Sequence, residues 1–204
     1  MIKSIAKTVE NEIIINKSRF IGILEHVTSV DEVKMYLELY KEKYPNATHY
    51  CYAYQIGEYV KASDDGEPSK TAGMPMLNVI QKQEIDQVLV IVIRYFGGIK
   101  LGAGGLVRAY SQSVSEALLQ AKIEYYQLVS LYEITFDYTY IKLIDYYIKT
   151  MSIKTIDKKY DLQVTYTCFV EDESFFVKLQ EATANQVKKK YLNDEYVIKE
   201  VPYV

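Results

Sequence analysis

Cysteine is almost absent from this 204-residue chain: Cys51 and Cys168 stand far apart, with no Cys-x-x-Cys pair. That excludes a disulfide framework, argues against a zinc site and fits a reducing, cytoplasmic compartment. Long apolar runs are missing too. The longest, Val88 to Ile93, falls far short of the roughly 20 residues that span a bilayer. The opening segment, MIKSIAKTVENEI, is broken by charges and has no apolar signal-peptide core. There is no low-complexity tract and no visible repeat. Nor is there an excess of positive charge: 24 basic against 27 acidic residues give a net −3. A globally basic nucleic-acid binder is thereby excluded, and only a local patch is left as a route to phosphate. Arginine is rare, with only Arg19, Arg94 and Arg108. Glycine is confined: all but one of the nine lie between Gly57 and Gly105, and none follows.

What is there is ordinary for a soluble chain that buries a core, with 49% hydrophobic and 25% charged residues. The length suits one large domain or two small ones. Against that background one segment stands out, RYFGGIKLGAGGLVRAYSQSV from Arg94. Two of the three arginines bracket its glycines, and no acid occurs from Gln87 to Ser115. Arginine's planar fork binds phosphate or carboxylate bidentately, as lysine cannot. Glycines let a ligand approach the backbone. A helix expected from about Leu106 to Lys122 would turn its free N–H groups toward the loop and favour an anion. Arg108 would then lie in its first turn, Lys100 in the loop, and Arg94 at the end of a central strand. The candidate anion- or nucleic-acid-binding residues are therefore Arg94, Gly97, Gly98, Lys100, Gly102, Gly104, Gly105 and Arg108. The competing reading is a tight strand-to-helix connection whose glycines serve packing and whose arginines are solvated or paired with acids. The segment lacks the Gly-Lys-Ser/Thr end of a P-loop and the spacing of a dinucleotide fingerprint.

A second loop, Asp64, Asp65, Glu67, Lys70 and Thr71, is the expected neighbour of the first. Its carboxylates could hold Mg²⁺ or supply a general base. They could equally form a solvated Asp-Gly turn, or Asp65 or Glu67 could pair with Arg94 or Arg108. No catalytic residue, metal or cofactor is assigned. His49 and Cys51 share a strand face, but an i, i+2 pair rarely has the geometry for Cys–His catalysis. Tyr50, Tyr52 and Tyr54 alternate with them and read as base-stacking platform or half-buried packing. Lys188, Lys189 and Lys190 read as a solvated basic run at the C-terminus of the last helix.

The coarse element order is strands IKSIAKTV, NEIIIN and SRFIGILEHV, the first two joined by a Glu10-Asn11 turn. A helix starting at Ser29 or Asp31 and stopped by Pro45-Asn46 comes next. Then come the strand THYCYAYQIG, a strand EYVKA running into an Asp65-Gly66 turn, an irregular stretch passing into a short helix at Pro75, the central strand VLVIVIRYF and the glycine segment. After Ile123 the texture changes to βαββαβ, the ferredoxin-like order, with the last strand at EYVIKEV. The expected domains are residues 1–130 and 131–204, with no linker composition between them.

Four segments in combination, SRFIG (Ser18–Gly22), HYCYAYQIG (His49–Gly57), SDDGEPSKTAGMPML (Ser63–Leu77) and RYFGGIKLGAGGLVRAYS (Arg94–Ser111), resemble the YigZ/IMPACT family over residues 1 to about 125. The tail resembles the small second domain of bacterial members. Lys70 stands where glycine is usual in the family, and Met74 where arginine is usual. The resemblance implies an α+β protein. Its first domain would be similar to the second domain of ribosomal protein S5, and its tail to the last domain of the ribosomal translocation factor. It also implies a field of action, since eukaryotic relatives are associated with translational control during amino-acid starvation. Their mechanism uses an additional N-terminal protein-binding domain and is not carried over. The expected function is a non-catalytic, translation-associated or regulatory protein that binds RNA, the ribosome or a protein partner in translational control, away from membranes. An enzyme acting on a phosphorylated small molecule with Asp64, Asp65 or Glu67, or a pure protein-interaction module, are the competing classes.

Overall fold

Apolar residues that alternate along a strand with aromatic ones need cover on both faces, and the strand around Cys51 obtains it. The computed structural model describes residues 1–199, which fall into two compact units, Met1–Tyr126 and Gln127–Ile198. In the first, β1 (Ile2–Ile5) is followed by the hairpin β2 (Val9–Ile15) and β3 (Ser18–His26), then α1 (Val30–Lys43). A second hairpin, β4 (His49–Ile56) and β5 (Tyr59–Ser63), leads through a loop to α2 (Gly73–Lys82). Then come β6 (Val88–Tyr95) and α3 (Gly102–Gln120). The sheet order is β2-β3-β6-β4-β5, with every pairing antiparallel. β6 is central, as its continuous apolar run requires. Its register sets Arg94 between Phe20 of β3 and His49 of β4.

On one sheet face Phe20, Leu24, Cys51 and Val92 pack under Met76 of α2 and Tyr110 and Val114 of α3. On the other, Ile21, Ile23, Tyr54 and Ile91 pack under Val33 and Tyr40 of α1. Tyr54 is buried and Tyr50 and Tyr52 are partly buried against this second core, so these tyrosines are packing residues. The helix α1 begins where its capping residues dictate. Ser29 Oγ accepts from the Glu32 N–H, and the Glu32 carboxylate accepts from the Ser29 N–H, each at 3.2 Å.

Several boundaries differ from expectation. Glu10 and Asn11 lie inside β2, and the hairpin turns instead at Asn16-Lys17, whose φ values of 47° and 64° suit a tight two-residue turn. The β4–β5 hairpin turns at Gly57-Glu58, and the Asp65-Gly66 turn follows β5 as expected, closed by the Glu67 N–H donating to the Asp64 carbonyl at 2.9 Å. α3 begins at Gly102, so Gly104 and Gly105 belong to its first turn and Arg108 to its second. Glycine's low helix propensity hides that start in the sequence, and burial of the Leu106–Tyr110–Val114 face overrides it.

β7 (Ile123–Phe136) pairs β1 over its first four residues, Ile123–Tyr126, within the first unit. The second unit continues with a 3-10 turn (Tyr138–Tyr140), α4 (Ile141–Thr150), β8 (Lys154–Tyr160), β9 (Val164–Val170), α5 (Ser174–Ala182) and β10 (Lys188–Lys199). Its strand order is β10-β7-β9-β8, over a core that includes Phe136, Ile144, Tyr166 and Phe175. The last strand starts earlier than expected, so Lys188–Lys190 are strand residues and not a helix C-terminus. Lys189 pairs with Glu173 at 3.0 Å and Lys190 with Glu133 at 3.6 Å. The expected end of that strand, from residue 200 on, lies outside the described residues. Among the described residues no helix is long and apolar enough to cross a membrane.

Gly22 shows how closely α3 lies on the sheet. A Cβ there would sit 2.6 Å from Ser113 Oγ and 2.9 Å from the Ser113 carbonyl oxygen. Gly22→Ala should therefore cost about 1–3 kcal/mol through overpacking. Urea denaturation measures this, and an unchanged midpoint would mean that α3 can shift at no cost.

Candidate anion-binding site

Arg94 ends a strand whose neighbours are already packed, so its guanidinium cannot swing to solvent; its side chain is 5% exposed. Burial of a cation demands a partner. Glu67 supplies it: Arg94 Nη1 donates to Glu67 Oε1 at 2.5 Å, and the Glu67 side chain is 3% exposed. The Tyr110 hydroxyl, from α3, donates to the same oxygen at 2.8 Å. His49 Nε2 stands 3.8 Å from it. The Arg94 guanidinium carbon lies 5.3 Å from the Phe20 ring centre and 5.4 Å from that of Phe96. Thus the Asp64–Thr71 loop is tied to β6, β4 and α3 at one buried carboxylate. Of the pairings open in the sequence, Glu67 with Arg94 is the one formed.

The other carboxylates of that loop are also occupied. Asp64 accepts from the backbone N–H groups of Lys70 (2.7 Å), Ala72 (3.0 Å) and Gly73 (2.8 Å). Partial burial alone would raise its pKa, but these three donors outweigh it and hold the group below the usual carboxylate range. It serves as a remote cap on α2, whose own N-cap residue, Ala72, provides no side-chain bond. Asp65 Oδ2 accepts from the Tyr50 N–H at 2.6 Å, and its carbonyl oxygen lies 2.8 Å from His49 Nδ1. Thr71 is buried, and its hydroxyl donates to the Pro68 carbonyl at 2.6 Å. Among the described residues no cluster of His, Cys, Asp and Glu has the makings of a metal site. Cys51 is buried, and burial pushes its thiol up to about 12, so it does not present a thiolate near neutral pH. Its single S–H hydrogen has the Asp64 carbonyl oxygen at 2.9 Å as its nearer acceptor, and the Tyr110 hydroxyl lies 3.3 Å from the sulfur.

The glycine segment divides by physical need. A Cβ on Gly97 would fall 2.0 Å from the Lys17 carbonyl carbon, so the segment can cross the β2–β3 hairpin only with glycine there. Ser18 Oγ fixes that crossing by accepting from the Gly97 N–H at 3.1 Å. Gly98 and Gly102 have left-handed φ values of 84° and 71°. At Gly105 an added Cβ would meet Leu101 Cβ at 3.0 Å, whereas at Gly104 it would meet nothing within 4 Å. The segment closes one side of a cavity of about 410 Å³ whose walls include His49, Glu67, Arg94, Phe96, Lys100 and Gly102. α3 starts at its rim with no capping side chain and no acid in its first turn. Lys100 is exposed there. Arg108 is exposed, lies outside the cavity wall, and has no ion-pair partner among the described residues. Arg94 and Lys100 are thus brought together and Arg108 is not. Tyr110, Ser18 and Phe96 take part without having been singled out; a tyrosine at a core helical position gives no hint that its hydroxyl serves a carboxylate.

A model of the Impact N-terminal domain matches residues 16–118, about half of the chain. The IMPACT family member YvyE of Bacillus subtilis is 42% identical over 167 residues, 80% of this chain and 77% of its own length. This chain belongs to the IMPACT family. An IMPACT family member of Haemophilus influenzae is 31% identical over 181 residues, covering 85% and 88% of the two chains. A crystal structure of a hypothetical protein superposes with a TM-score of 0.67 at 30% identity, over 95% of this chain and 98% of that one. The mixed α/β architecture with antiparallel sheets is therefore shared along nearly the whole length.

Lys70 has a left-handed φ of 63°, a conformation that suits glycine and strains a lysine. Met74, exposed on α2, lines a groove with Lys70 and Val107 rather than the cavity. Lys70→Gly should raise stability by about 0.5–1 kcal/mol, relief of strain exceeding the extra freedom of the unfolded chain. A melting curve tests this; a lowered midpoint would show that the Lys70 side chain stabilises the loop. For the buried pair, Arg94→Met alone should cost about 3–5 kcal/mol by stranding Glu67, and combining it with Glu67→Gln should recover part of the loss. A double-mutant cycle by chemical denaturation measures the coupling, and strictly additive losses would refute it.

Proposed function

We propose that this IMPACT family chain is a non-catalytic, translation-associated binding protein of the cytoplasm that holds a phosphate-bearing ligand, RNA or a ribosome-associated partner, at the start of α3. The observation that carries the reading is the α3 N-terminus: uncapped, free of acid in its first turn, and opening on a cavity with Lys100 at the rim. Such a helix end attracts anions through its orphan N–H groups and its dipole. Arg108 extends the positive field along α3, while Arg94 serves by shaping the cavity with its charge balanced by Glu67. We further assign the first unit to the fold of the second domain of ribosomal protein S5, and the second to the ferredoxin-like fold. Its β-α-β-β-α-β order and β10-β7-β9-β8 strand sequence support the latter. Both likenesses agree with a role beside RNA. A catalytic reading draws no support from Asp64, Asp65 or Glu67, since each already has partners within the protein.

The test is binding to short single- and double-stranded RNAs and to ribosomes at several salt concentrations. Affinity should fall steeply with salt, with a slope of roughly 0.7–0.9 per phosphate neutralised. Lys100→Ala/Arg108→Ala should weaken binding about tenfold or more without lowering the melting temperature, because both side chains are exposed. Unaltered affinity and slope in that variant, or no binding by the parent chain, would overturn the proposal.

A further inference from the structure

The helix end accounts for an anion and leaves most of the cavity beside it unexplained. At about 410 Å³ the cavity is far larger than a phosphate group, and it falls in the range of small-molecule sites. Its upper wall is apolar and aromatic, with Phe96, Leu101 and Leu106. Phe96 is 46% exposed, yet it is held in place. Its N–H donates to Thr48 Oγ1 at 3.0 Å, and the Arg94 guanidinium lies over its ring at 5.4 Å. The polar part of the wall is His49 and Glu67, and Arg94, itself 5% exposed, leaves its Nε without a partner among the described residues. The Glu67 carboxylate repels a second anion and accepts N–H donors. Gly104, in the exposed first turn of α3, has open space where its Cβ would be and no left-handed φ, so the fold itself does not call for glycine there.

We infer that the cavity takes one unpaired nucleotide of the ligand, with its base against Phe96 and its phosphate on the α3 N-terminus beside Lys100. A base has two apolar faces for an aromatic wall and a polar edge with N–H donors for Glu67 and His49, and single-stranded nucleic acids are bound by such stacking. A nucleotide carries donors at one end and a phosphate at the other, as the cavity carries a buried carboxylate in its wall and an exposed lysine beside the start of α3. The bare helix end lets a phosphate approach closely at Gly104. The inference rests on the anion site proposed above.

Titration calorimetry of the full chain with inorganic phosphate, ribose 5-phosphate, the four nucleosides and their 5′-monophosphates tests it. At least one monophosphate should bind about tenfold or more tightly than ribose 5-phosphate and than its own nucleoside. Phe96→Ala should bring that monophosphate down to the level of ribose 5-phosphate and leave ribose 5-phosphate unaffected, with Phe96→Leu, which keeps the apolar area, as a control for folding. Lys100→Ala should weaken both phosphorylated compounds. Gly104→Ala should raise the melting temperature and weaken them as well. Ribose 5-phosphate or RNA bound with no gain from the base would overturn the nucleotide inference and leave the anion site standing. No binding of any phosphorylated compound or RNA would overturn both.

Discussion

A single buried ion pair, Glu67 with Arg94, sets the terms for the first unit. Two charges taken out of water are tolerable only when each is well paired, and here one carboxylate oxygen receives the guanidinium and the Tyr110 hydroxyl together. Those two donors belong to the central strand and to the long helix, and the acceptor belongs to a loop that precedes both in the chain, between β5 and α2. The pair thereby determines where that loop lies, and the loop forms part of the cavity wall. Arg94 in turn lies between Phe20 and Phe96, so the position of the aromatic at the cavity wall is linked to the same charge balance.

Around that pair the loop is built almost wholly from satisfied polar groups. Asp64 gathers three backbone donors, Asp65 binds the β4 backbone, and Thr71 closes on Pro68. Carboxylates that look available for chemistry in the sequence are spent on holding backbone that forms neither helix nor strand. The cost of this arrangement appears at Lys70, a lysine in a left-handed conformation whose N–H is one of Asp64's donors. The groups that face the cavity are mostly of another kind: helix N–H groups, one lysine and an apolar wall, with Glu67 and His49 as its polar part.

Much of the frame was legible in advance because it follows from period and local chemistry. Alternation around Cys51 located a strand with two distinct faces, Ser29 was one of the two starts open for α1, the apolar run from Val88 located the central strand, and the βαββαβ order of the tail matches the observed elements. Boundaries were legible only where a side chain enforces them. The turn at Asn16-Lys17 carries no glycine, and the first turn of α3 is rich in it, so local propensity pointed elsewhere in both places. Lys188–Lys190 followed the same logic: a basic run suits a helix end, but backbone pairing of β10 with β7 places it in a strand.

The sequence by itself determined the composition of the site, with a glycine segment, an acidic loop and a chain poor in arginine, because residue types and spacing are local properties. Only the tertiary structure decided what those residues do. Whether Arg94 is a free phosphate fork or a buried partner depends on the register that sets it between Phe20 and His49, and on a loop arriving from residues 64–71 with a carboxylate. Arg108 has the same side chain and no such neighbour, so it stays in solvent. Burial and pairing are relations between distant segments, and the energy of a charge is set by those relations rather than by the residue that carries it.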